Sequence, residues 1–256
     1  MPDYRKIAYR VDDSVARLTL NRPEKRNALD VEMIGEIKDA LDHAAHAEPV
    51  RVVLLTGAGM DFCSGMDLAA LANAAGDNVL DHLGEARDLG DLFLAMRKHP
   101  RPIVAAVRGR ALAGGCGLAT AADVILAAES GQFGYPEVRI GFIPAMVMAI
   151  LRRSVSEKHA FELIATGEVV GARAALDMGL INRVIADATF ESSVEAYVRN
   201  LASHPASAIS LAKCLLYQMD GMSFPAAIEA GAQINAIARQ TGAFKSGVEN
   251  FLKKKS

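Results

Sequence analysis

Cysteine is scarce in this chain. Cys63, Cys116 and Cys214 are the three among 256 residues, and an odd, sparse set excludes a disulfide framework. A reducing cytoplasm is the expected setting. Charge of one sign is also lacking: 28 Lys and Arg against 30 Asp and Glu leave a net −2. That removes the electrostatic footprint of a nucleic-acid binder or of a protein drawn to an anionic membrane. No apolar run has the length of a membrane span. The opening stretch MPDYRKIAYRVDDS is polar and holds no apolar signal core. His43 and His46 have a metal-compatible spacing but no companion ligands, so no metal is expected. The chain has no G-x-S-x-G elbow, no G-x-G-x-x-G fingerprint and no phosphate loop.

What is present is a chain 51% hydrophobic, long enough to bury a sizeable core. VARLTL (15–20), RVVLLTG (51–57), PIVAAVRG (102–109) and DVILAAES (123–130) read as strands, the apolar ones buried on both faces. Between them, apolar residues recur at helical spacing from Asp30, a plausible N-cap, to about 47, and again over 80–98. Beyond Ala145 nearly everything reads helical. Alternation followed by helices alone predicts an α/β fold with a largely parallel sheet and a helical C-terminal part.

Ligands of such sheets collect at the carboxyl ends of the strands. Three glycine-rich loops leave strands there: 57–68, 109–117 and 131–144. ALAGGCG (111–117) places three glycines at the head of a helix. A helix start leaves N–H groups unpaired and partly positive, and glycine lets another group approach them. Such a turn can hold a developing oxyanion; close packing of the helix on the sheet is the alternative. In FCSGMDL (62–68) the backbone around Gly65 is again unobstructed, and Asp67 could cap the helix that follows. In FGYPEVRIGFIP (133–144), Glu137 is flanked by apolar residues, which suits a carboxylate for proton transfer near neutral pH. An ion pair with Arg139 is the alternative. Cys116 has no adjacent base and reads as a small buried residue.

These segments, in this order and spacing, resemble the enoyl-CoA hydratase/isomerase (crotonase) family. NRPEKRNAL (21–29) is similar to its NRP-x-x-x-NAL segment, and TGEVVGARAALDMGLINRVI (166–185) to its later TG…GL…V pattern. The resemblance spans essentially the whole chain. It implies a crotonase-like spiral of ββα turns, with a catalytic core over 1–190 and a C-terminal helical trimerisation region over 191–256. It also implies assembly into trimers or hexamers. The implied substrate is an acyl-CoA thioester, with coenzyme A arriving as part of the substrate and no other cofactor. The thioester oxygen would be held by the backbone N–H groups of Met66 and Gly114, with Glu137 as the acid and base. Ala28, Ser64, Gly65, Asp67, Leu68, Ala69, Gly115, Gly117 and Pro136 would line the substrate path. Lys25 and Arg26 would meet the CoA phosphates, and Phe251 and Lys254 its adenine end.

One departure matters. Hydratases of this family typically carry two glutamates, and the position of the first is Gly117 here. Water addition uses two groups readily, whereas moving a double bond needs one base. Tyr135 could be a substitute hydrogen-bond partner. Residues 144–148 (PAMVM) would shape an apolar acyl pocket. The leading expectation is hydration of a 2-enoyl-CoA, the commonest activity of the family. Isomerisation of a 3-enoyl-CoA is the alternative, and a CoA-binding oligomer of little activity is a further one.

Overall fold

The computed structural model describes residues 3–73 and 78–253. Two strands, β1 (Ile7–Asp12) and β2 (Val15–Leu20), form an antiparallel hairpin. Its turn residues Asp13 and Ser14 both take positive φ. Strands β3 (Val52–Gly57), β4 (Ile103–Val107), β6 (Val124–Ala128) and β9 (Arg183–Ile185) then add in parallel, in the order β1-β2-β3-β4-β6-β9. A second sheet joins β5 (Arg110–Leu112), β7 (Gln132–Gly134) and β8 (Val169–Gly171).

Strands β2, β3, β4 and β6 are largely buried on both sides, as their apolar runs predict. Successive residues face opposite ways. Leu18, Val53, Leu55, Ala105 and Ile125 enter the main core, where helix α1 (Val31–His46) lays Met33, Ile34, Ile37, Leu41 and Ala44 against the sheet. Asp30 caps α1, its carboxylate accepting from the Met33 N–H at 2.9 Å. On the other face Val52, Leu54, Val104 and Leu126 pack on Phe190, Val194 and Val198 of α8 (Phe190–Ala202). Each side chain of that size stabilises by about 1.5–3 kcal/mol when fully buried.

Two sequence expectations need correction. The strand expected over 102–109 is β4, but a second short strand, β5, intervenes between it and the glycine-headed helix. Gly109, at φ +61°, turns the chain out of the first sheet and into β5. Its Cβ would lie 2.0 Å from the Met60 carbonyl oxygen, so only glycine fits. The region beyond Ala145 is not wholly helical either. β8 and β9 are three residues each, too short to show a period, and are fixed by pairing with β7 and β6. β1 falls in a stretch whose alternation is masked by its polar residues.

Helix α9 (Ala206–Gln218) is fastened to the core by a buried lysine. Lys213 Nζ donates to the Met96 and Arg101 carbonyls and to Asp123 Oδ2, at 3.0, 3.2 and 2.7 Å. Tyr217 donates to the other oxygen of Asp123 at 2.6 Å. The last helices, α10 (Phe224–Gln240) and α11 (Gly242–Lys253), contain no buried residue. Phe224, Ile228, Ile237, Phe244 and Val248 stand exposed on them.

Candidate active site

Backbone hydrogen bonds stitch the three glycine-rich loops together. Cys63 N–H donates to the Arg110 carbonyl, and Leu112 N–H donates back to Cys63, at 3.0 and 2.9 Å. Ala113 N–H donates to Gly134 at 2.8 Å, tying the second loop to the third. The first loop is also held from the far side. Ser64 N–H donates to Arg26, Leu29 N–H to Gly65, and Asp67 N–H to Leu29, at 3.0, 2.8 and 2.8 Å. Asp61 anchors this base, accepting from the Arg110 backbone N–H and its guanidinium.

The stitching brings Met66 and Gly114 side by side. Gly65 takes φ +97°, and a Cβ there would lie 2.7 Å from Ala113 Cβ and 3.3 Å from Gly114 N. The Cβ position of Gly114 lies 3.9 Å from Met66 N. Ala113 adopts φ +50°, uncommon for a residue with a side chain. That turn starts helix α4 (Gly114–Thr120). Among the described residues, neither the Met66 nor the Gly114 N–H donates to any carbonyl or side chain. Two adjacent, unspent donors can hold one oxygen as it gains charge.

Glu137 sits in the 3-10 turn Pro136–Ile140 and is only 8% exposed. Its Oε2 is buried with no hydrogen-bond partner among the described residues. Burial pushes its pKa above the ordinary value. No ion pair links it to Arg139. Its charge is felt by two neighbours, Cys116 and Tyr135. Burial first, then contributions that include Glu137, raise the Cys116 thiol to about 11 and the Tyr135 hydroxyl well up. Tyr135 is fully buried, its hydroxyl 3.0 Å from Thr120 Oγ1, so it belongs to the packing behind Glu137. Cys63, also buried, is raised to about 12. Thiols so far from ionisation are inert. Titration of the native protein with a thiol reagent at mildly alkaline pH should therefore detect about one group, the exposed Cys214, against three after unfolding.

The sequence profile of the enoyl-CoA hydratase/isomerase family matches residues 10–256. The chain belongs to the enoyl-CoA hydratase/isomerase family. A "probable enoyl-CoA hydratase" of Rhodobacter capsulatus is 36% identical over 98% of this chain and 96% of its own. The 1,2-epoxyphenylacetyl-CoA isomerase of Escherichia coli is 30% identical over 98% and 96%. A crystal structure of an enoyl-CoA hydratase from Mycobacterium smegmatis superposes with a TM-score of 0.94, at 31% identity over 98% and 97% of the two chains. The architecture is the crotonase fold of these relatives.

Within this enoyl-CoA hydratase/isomerase fold the other predicted residues divide. Lys25 and Arg26 are exposed on the turn that holds Ser64, with Ser64 Oγ 3.5 Å from the Lys25 carbonyl. Ala28 is buried in the same turn. Asp67 caps helix α2 (Leu68–Asn73) through the Ala69 N–H at 3.1 Å. Its other oxygen is paired with Arg22 at 3.1 Å, which leaves Leu68 and Ala69 exposed at the helix start. Pro136 leads the 3-10 turn of Glu137. Gly115 is a packing contact: a Cβ there would meet the Cys63 carbonyl oxygen at 2.4 Å. Phe251 lies on α11, 58% exposed. Lys254 lies outside the described residues.

Gly117, expected to line the substrate path, is closely packed on its Cα side. A Cβ there would lie 2.4 Å from Val147 Cγ2 and 3.3 Å from Phe93 Cζ. Phe93 comes from helix α3 (Val79–Lys98) and Val147 from α5 (Ala145–Ser154). Sequence reasoning missed Phe93, which nothing local connects to a residue 24 positions later. Beyond Phe93 and Met146 an apolar groove of about 570 Å³ runs between α3 and α5, past Leu83, Gly90, Leu94 and Ile150.

Proposed function

We propose that this protein moves a double bond in an acyl-CoA thioester, converting a 3-enoyl-CoA into a 2-enoyl-CoA. The observation that carries the reading is one buried carboxylate with an unpartnered oxygen, on a loop hydrogen-bonded to the one that presents the unspent amides, where position 117 of α4 is closed by apolar side chains. The thioester oxygen accepts from Met66 N–H and Gly114 N–H. Glu137 takes a proton from C2, and the C–H pair becomes the enolate, whose charge gathers on that oxygen. The proton returns at C4, the double bond settles between C2 and C3, and no atom is gained or lost. One oxyanion donor of this kind is commonly worth about 3 kcal/mol of barrier.

The CoA portion runs over the Lys25–Arg26 turn, Ser64 and the start of α2, with Phe251 at its adenine end. The acyl tail points toward the groove behind Phe93. The exposed apolar faces of α10 and α11 are covered by further copies of the chain, in a trimer or hexamer. The setting is cytoplasmic. No helix among the described residues is long and apolar enough to cross a membrane.

Hydration of a 2-enoyl-CoA is the second reading, favoured by the names of the Rhodobacter relative and the Mycobacterium structure. Absorbance of the conjugated thioester separates the two. A 3-enoyl-CoA should give a rise, absent in Glu137→Gln. A fall with crotonyl-CoA and no rise with the 3-enoyl substrate would replace isomerase with hydratase. Tight CoA binding with neither change would leave a binding protein.

A further inference from the structure

We propose that Val147, backed by Phe93, fixes the reaction type by occupying the volume that any side chain at position 117 would need. The inference rests on the acyl-CoA reading of the site. A missing glutamate could leave a gap in which water takes its place. Here there is no gap. The Cβ position of residue 117 is 2.4 Å from Val147 Cγ2, closer than carbon atoms can approach without something shifting, and Phe93 closes the next direction at 3.3 Å.

Neither wall yields easily. Val147 is 2% exposed within α5, and a β-branched side chain in a helix has essentially one χ1 rotamer. Phe93 is 5% exposed, with its neighbours Leu92, Leu89 and Met96 also in the core. On the other side, the α4 backbone is pinned. Gly117 N–H donates to Ala113 at 3.0 Å, and Ala121 N–H to Gly117 at 2.9 Å. Displacing it would move Gly114, one turn back.

The consequence is chemical. A water needs room and two to four polar partners. The side of α4 just beyond Cys116, the residue that feels the Glu137 charge, offers a valine Cβ and methyl and an aromatic edge instead. Those side-chain atoms give a water no hydrogen-bond partner. A proton can shuttle between two carbons there, while delivery of a water oxygen to C3 lacks a second group to hold the water. Val147 and Phe93 thus act as specificity residues, one helix away from the atoms that react.

The test has two arms. The first is a double-mutant cycle on thermal stability. Gly117→Ala should lower Tm clearly in the native background, and most of that loss should vanish when Val147→Ala is also present. An equal loss in both backgrounds overturns the proposal, whatever the enzyme catalyses. The second arm compares Gly117→Glu/Val147→Ala with Val147→Ala alone, as the ratio of 2-enoyl-CoA hydration to 3-enoyl-CoA isomerisation. The double variant should raise that ratio by about a hundredfold, the low end of what a positioned acid or base contributes. Retained isomerisation with an unchanged ratio overturns the proposal. Gly117→Glu alone matching the double would do the same, since Val147 would then be no barrier. Failure of the acyl-CoA reading itself has a separate signature: the native protein changes the absorbance of neither the 2-enoyl-CoA nor the 3-enoyl-CoA. If the double variant does not fold, the stability cycle decides.

Discussion

Glu137→Gln should lower kcat for the 3-enoyl-CoA by about a hundredfold to ten-thousandfold, the usual range for removing a general base. Substrate binding should change far less, because the amide pair and the CoA path are untouched. The same residue governs the pH profile. Abstraction needs the ionised carboxylate, so kcat/KM should rise with pH, and its midpoint should sit above the ordinary glutamate value of about 4.3. Stability runs the opposite way. Burial raises the carboxyl pKa in the folded state, so folding favours the protonated form. That stabilising contribution is complete below the unfolded-state pKa and is lost as pH climbs through the raised folded-state value. Glutamine carries no charge to desolvate. The variant should therefore gain Tm over the native protein as pH rises from acid to neutral, while being nearly inactive. A kcat within a few-fold of the native value would remove Glu137 from the mechanism, and a Tm difference independent of pH would show that burial does not raise its carboxyl pKa.

Gly65→Ala should be the most damaging single methyl group in the molecule for catalysis. The residue sits at φ +97°, where a side chain is strained. Its new Cβ would press on Ala113 Cβ at 2.7 Å and lie 3.3 Å from Gly114 N. Relief requires the two loops to separate, and the Met66 and Gly114 amides separate with them. Losing the action of one such donor costs about a hundredfold to a thousandfold in kcat. Overpacking adds roughly 1–3 kcal/mol of destabilisation. Met66→Leu is the control: it changes the side chain and leaves the amide, so most activity should remain. Full activity in Gly65→Ala, or equal losses in the two variants, would show that the amides do not hold the substrate oxygen.

Much of this architecture is readable from sequence. The strands 15–20, 51–57 and 123–130 announce themselves as apolar runs, and Asp30 and Asp67 announce helices as caps, because these signals are local. The three loops are readable for the same reason: glycine marks where a backbone must bend or be approached. The strands of three residues are not, since their only stabilising feature is a partner far away in the chain. Gly109 illustrates the boundary. Its presence signals a turn, but that the turn moves the chain between sheets depends on Met60 and Asp61, some fifty residues earlier. The most consequential miss is at Gly117. A glycine reads as an absence, yet the structure fills that absence from two other helices. Val147 was legible as part of an apolar segment; Phe93 was one of many apolar positions on a long helix, and only the packing singles it out.

The fastening of α9 by Lys213 divides the chain energetically. Through Tyr217 the backbone is tied to the sheet by buried polar contacts, and removing the lysine would strand the Asp123 charge. Past that point α10 and α11 bury no residue. Their amides should exchange hydrogen for deuterium at the low opening free energy of a poorly packed unit, whereas those of β3 and β4 wait for global unfolding. Exchange in the last two helices is accordingly a gauge of how much of their apolar face is covered, and it should slow as protein concentration rises, with no change in the exchange of the central strands.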